Sequence, residues 1–249
     1  MRAVTLDDLT IHDEAAFAGI GAWRALRARL RADGFAFRVA ERPWPRVLFL
    51  NLTYWNAAAP SDVLEDDSIE ADVVSHAAWH HAARTALAVD GRMSVEALFL
   101  GEAIASALDV YLIGRLMGRV ACGFLETQVP AMAEAAAEMG ADDAFASLLD
   151  GWCADPDAAF ESLRQLLFDA SCAVFAARDA ASADAALDAF RAHPCAPLLH
   201  HFELSNWLLY ARAYGDPAPD PGARALDAAL RQAPSSVDWL AAQWLPPDA

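Results

Sequence analysis

Apolar residues recur at helical spacing over most of the chain. Asp13 to Ala32 places Phe17, Ile20, Trp23, Leu26 and Leu30 on one face, and Gly34 suits a C-terminal cap. The period then shortens. Phe35–Val39 and Val47–Trp55, rich in aromatic and β-branched residues, read as strands joined through Glu41–Pro45. Asn56 to Ser68, with Pro60 and the acidic run Glu65-Asp66-Asp67, reads as a solvated loop. Helical spacing resumes at about Ile69 and runs to about Val89, where Asp90-Gly91 ends it. Ser94 is the natural N-cap of the next helix, with Glu96 in its first turn, and that helix continues to about Val120. Further helices are expected over Val129–Glu138, Asp142–Leu149, Pro156–Ala177, Ser182–Ala192, Pro197–Tyr214, Pro221–Gln232 and Ser236–Trp244. Asp216–Pro221 is the clearest linker, but it lies too near the C-terminus to set off a domain. The pattern predicts a mainly α (α+β) protein. A small antiparallel sheet falls near the N-terminus, and a helical C-terminal lobe follows it.

The two central helices concentrate the polar chemistry. On the first, Asp72, His76, His80 and Arg84 form a stripe at steps of four, so two imidazoles share one face. On the second, Glu102, Ser106 and Asp109 share a face while their neighbours are almost all apolar. A carboxylate in so apolar a helix is costly to bury without a partner or a metal ion. Two histidines four apart with a carboxylate from a neighbouring helix make a three-ligand zinc site with one open position. The plain alternative is a solvated helix face, with Glu102 paired to Arg84 or Arg115.

Composition narrows the partners. The 249 residues include 56% hydrophobic residues, enough to bury a sizeable core; the formal net charge is −17, and the lack of a clustered basic stretch argues against a nucleic-acid partner. All basic side chains are arginine, which with the many alanines reads as a bacterial-type coding bias. Cys122, Cys153, Cys172 and Cys195 have no CxxC spacing and read as small buried apolar groups of a reducing compartment. The N-terminal residues are acidic where an export signal needs an apolar stretch, and Glu102, Asp109 and Arg115 interrupt the longest apolar run. A cytoplasmic protein without membrane or nucleic-acid partners is expected.

The segment Asp72-Val73-Val74-Ser75-His76-Ala77-Ala78-Trp79-His80 resembles the active helix of thermolysin-like zinc metallopeptidases, the gluzincins, which reads DVVAHExxH. Gly101-Glu102-Ala103-Ile104-Ala105-Ser106 resembles that family's NEAISD, and Tyr54-Trp55-Asn56 is similar to the end of its substrate-binding edge strand. The resemblance covers roughly residues 13–118. It implies a zincin-like core over residues 1–120, with residues 121–249 as a helical lobe packed as one unit with it. It implies a single zinc ion held by His76, His80 and Glu102, with residues 51–55 beside it as edge strand. Three positions depart from the family. Ala77 stands where the general-base glutamate belongs. Gly101 replaces an asparagine. The aspartate that orients a histidine is out of register, leaving Ser106 or Asp109 for that task. The family's transition-state-stabilising histidine has only His200 and His201 as clustered candidates, and His201 is taken for it.

Four readings follow. The favoured one is a zinc-binding pseudoenzyme that has lost peptidase chemistry and binds a peptide or protein. The second is an active zinc peptidase inactivated by a glutamate-to-alanine change at position 77. The third is a metal-free helical interaction protein. The fourth, a carboxylate-bridged di-metal helical protein, is weakened because no Glu-x-x-His pair occurs.

Overall fold

The computed structural model describes residues 1–40 and 63–245. The expected strand Val47–Trp55 and the connection Glu41–Pro45 lie outside the described residues. The chain is mainly helical with a small N-terminal sheet region. Strands are β1 (Arg2–Thr5), β2 (Thr10–His12), β3 (Ala36–Val39), β4 (Val63–Leu64) and β5 (Ser68–Glu70). Helices are α1 (Glu14–Phe17), α2 (Gly21–Ala32), α3 (Ala71–Leu87), α4 (Val95–Leu116), α5 (Gly123–Glu138), α6 (Asp142–Ala154), α7 (Pro156–Ala176), α8 (Ala180–Asp188), α9 (Leu204–Tyr214), α10 (Pro221–Gln232) and α11 (Ser236–Trp244).

The sheet region is mixed, which corrects the expected antiparallel sheet. β1 pairs antiparallel with β3, but β3–β4 and β2–β5 are parallel. Two helix expectations also change. Asp13–Ala32 is broken between α1 and α2, where Ile20 is extended (φ −93°, ψ 112°) between Gly19 and Gly21. Two glycines so close weaken a helix enough for tertiary packing to break it. Pro197–Tyr214 is a short 3-10 turn (Ala196–Leu198) and then α9, because Glu203 takes left-handed backbone (φ 50°) and resets the chain direction.

The helix hairpin that carries the candidate chemistry forms as its sequence dictates. α3 and α4 are joined by a tight turn at Asp90 (φ 52°) and Gly91 (φ 76°), closed by two backbone hydrogen bonds between Val89 and Arg92. Two successive left-handed residues are what this reversal needs, and Asp-Gly supplies them at low cost. The Ser94 hydroxyl then caps α4 by accepting from the Ala97 N–H. α4 is long and apolar enough to cross a membrane, with a mean hydropathy of 1.6, but 83% of that stretch is buried inside the fold. It is a core helix, with α3 on one side and α7 on another. Gly114 lets α6 approach closely: a Cβ there would stand 2.1 Å from the Trp152 carbonyl oxygen. One hydrophobic core runs from Val4 to Leu245, through both expected regions.

Candidate metal centre

α3 and α4 run antiparallel, so the polar stripe of one lies along that of the other. The Asp72 charge reaches Asp109, and two turns along α3 His80 meets Glu102. A Cβ at Gly101 would meet the Ala83 Cβ at 3.4 Å, an ordinary packing contact.

The structure brings His76, His80 and Glu102 together, with one potential ligand atom from each within 4.8 Å of the others. The Nε2 atoms of His76 and His80 are 3.0 Å apart, with the rings tilted by 64°. His80 Nε2 lies 3.5 Å from Glu102 Oε2. Tetrahedral zinc with bonds of about 2.0–2.1 Å needs ligand atoms roughly 3.3 Å apart. Both measured separations fall within a few tenths of an ångström of that. Both histidines turn the same ring nitrogen towards each other at hydrogen-bond distance, with Glu102 beside His80. Arg115 lies over the Tyr111 ring, 5.3 Å from its centroid.

The electrostatics suit cation binding. Burial pushes His76 and His80 down to about 4, helped at His76 by its neighbour His80. Neutral imidazole is the form that binds a metal. Burial pushes Glu102 up to about 7, against a lowering pull from His76. The carboxylate is thus poorly compensated by the protein alone. The site stays accessible, since the His80 side chain is 27% exposed and that of Glu102 14%.

The other predicted positions separate. Ala77 lies one residue past His76 and is 5% exposed, so no protein base stands at that place. His201 packs edge-on to Phe202 in the turn before α9, and burial lowers its pKa. Its recorded interactions are with that turn and not with the cluster. His200 pairs instead with Glu138 at 2.9 Å on the surface. Neither Ser106 nor Asp109 hydrogen-bonds an imidazole among the described residues. Sequence reasoning missed Tyr210 of α9, which feels the charges of both Arg84 and Glu102. Its place inside an apolar helix gave no signal of this.

Asp109 has a separate consequence. Burial and the neighbouring Asp72 carboxylate push it up to about 8. The unfolded chain releases this proton near 3.8, and the folded chain holds it to about 8. Stability therefore falls as pH rises across that window. The two histidines act oppositely, but only below their unfolded value of 6.5. Above it, Glu102 and Asp109 carry most of the change. Metal-free protein is expected to lose roughly 1–3 kcal/mol between about pH 6.5 and 8.5. Asp109→Asn should remove most of that loss in denaturant titrations. An unchanged slope in the variant would assign the effect to other groups.

No protein-family description, curated protein or solved structure matches the chain. The function is accordingly read from the site.

Proposed function

We propose that this protein binds one zinc ion through His76, His80 and Glu102 on a zincin-like pair of helices, lacks the general base of the peptidases it resembles, and serves as a non-proteolytic peptide-binding or regulatory protein. The observation that carries this reading is the convergence of two imidazole nitrogens and a carboxylate within 4.8 Å on a helix pair in the hydrophobic core. The donor set suits a borderline-soft cation and leaves one position for a ligand. Bound there, zinc would polarise a carbonyl or carboxylate oxygen of that ligand. The protein's part is to hold two neutral imidazoles and one carboxylate in place and to keep the surroundings largely apolar. With Ala77 buried and no second carboxylate at the cluster among the described residues, none of those residues stands ready to take a proton from a water at the open position.

The expected result is about one zinc per chain in protein purified without an affinity tag, and loss of that zinc in His76→Ala. Elemental analysis before and after zinc titration decides it. Failure of the parent to take up zinc would overturn the reading and leave the helical interaction protein. Iron in place of zinc would keep the site and overturn the zinc assignment, because two imidazoles and a carboxylate also suit ferrous iron.

A further inference from the structure

Away from the hairpin, α7 forms one wall of a cavity of about 480 Å³. The turn after α8 supplies Phe190 and His193 to it, and the junction of α10 and α11 supplies Pro234 and Ser236. That volume suits a small molecule. Asp157, Glu161, Gln165 and Asp169 line the cavity at steps of four, so they form one stripe along α7. Asp169 follows Asp157 by 12 positions of continuous helix, a span of roughly 18 Å. The cavity is therefore an elongated trough. Leu166, Phe190 and Pro234 line it with apolar surface beside the acidic stripe.

Its charge is unbalanced at both ends. Buried Arg164 pairs with Glu161 and Asp227, and Arg231 pairs with Asp227 and Asp169. Two guanidinium groups thus serve three carboxylates at one end. At the other, Asp155 and Asp157 have no cationic partner among the described residues. Asp155 Oδ1 accepts from the Ala158 N–H, Asp157 Oδ1 accepts from the Ser235 hydroxyl, and each keeps its second oxygen. His193 adds no positive charge at neutral pH, because burial lowers its pKa. Nor does it activate Ser162. The Cys195 N–H donates to His193 Nδ1, so Nε2 carries the ring hydrogen and donates to Ser162 Oγ at 3.1 Å. A serine that accepts from its histidine is not primed for attack, so the trough has the chemistry of a binding site and not of a hydrolytic one.

We propose that this trough binds a linear polyamine, with one ammonium group at Asp155 and Asp157, another near Asp169, and the methylene stem against Leu166, Phe190 and Pro234. The occupant follows from the spacing. Carboxylates spread over roughly 18 Å of helix do not converge on one metal ion, whereas ammonium groups joined by methylenes meet them in turn. The Phe190 ring adds a face that attracts a cation, and the apolar lining matches the stem. This site is independent of the metal-binding reading above.

Calorimetric titration of metal-stripped protein tests it, with spermine, cadaverine and a tetralysine peptide as probes. The salt is kept at about 0.15 M, where distant surface charges are screened. Spermine is expected to bind one per chain and about 10-fold or more tighter than cadaverine, which is too short to reach both ends. Asp157→Asn and Asp169→Asn should each weaken spermine by about 10-fold. Glu134→Gln removes an exposed charge outside the trough and should change binding by less than about 2-fold. Both asparagine variants keep the shape of the side chain, and circular dichroism checks that each is folded. Equal losses in all three variants would overturn the proposal in favour of diffuse attraction to an acidic surface. Cadaverine binding as tightly as spermine would overturn the two-ended trough. Tetralysine binding more tightly than spermine would replace the polyamine with a basic peptide. No spermine binding by the parent would remove the site.

Discussion

Replacing Ala77 with glutamate is expected to raise zinc-dependent hydrolysis of unstructured peptides by about 10²–10⁴-fold, the usual worth of a positioned general base. The parent should show no peptidase activity above background. His76 and His80 turn their ring nitrogens towards each other, and position 77 follows the first of them on the same helix. A carboxylate there would supply a proton acceptor beside the two imidazoles. Ala77 is nearly buried, so a glutamate would carry a desolvation cost that bound zinc partly offsets. The variant should therefore be folded and zinc-loaded before its activity is compared with the parent's. A folded, zinc-loaded Ala77→Glu protein no more active than the parent would show that the departures at Gly101 and beyond Glu102 matter as well. Parent activity that survives chelation would place the chemistry away from this hairpin.

The second large effect concerns Glu102. Zinc at a hundred times its dissociation constant should stabilise the parent by about 2.7 kcal/mol. For a chain of this length that is a rise of roughly 5–10 °C in Tm. Glu102→Ala should abolish most of the rise. In metal-free protein the same change should cost little or even stabilise, because a carboxyl group pushed up to about 7 by burial is a burden to the fold at neutral pH. Thermal melts with and without zinc make the comparison. Equal destabilisation in both states would mean that Glu102 serves as a polar partner of His80, 3.5 Å away, and not as a metal ligand.

The features legible in the sequence are those set by neighbouring residues. Ser94 as N-cap, Asp90-Gly91 as the reversal, Gly34 with φ 61°, and the ends of α10 and α11 all follow from local backbone chemistry. The approach of His80 to Glu102 also followed from spacing, since two packed helices joined by a short turn run antiparallel. What stayed hidden depends on distant partners. β1 is a strand only because β3 pairs with it, and β2 finds its parallel partner β5 more than fifty residues along the chain. Periodicity cannot reveal such pairings. The break between α1 and α2 was missed because Phe17 and Ile20 keep helical spacing across it, while the extended backbone of Ile20 changes direction. Tyr210 was missed for a third reason: it nears Glu102 only because α9 packs on α4, a pairing far apart in sequence that no local pattern encodes.

The hairpin of α3 and α4 also bears on the order in which the molecule assembles. All three candidate ligands fall within residues 76–102, so closing one short turn is enough to gather them. Closing so short a loop costs little chain entropy, and local contacts of this kind form early. The later helices, α7 among them, dock on α4 from far along the chain. The candidate centre thus draws no ligand from the C-terminal half, and a cation that binds there would tie together the two arms of a hairpin on which that half packs.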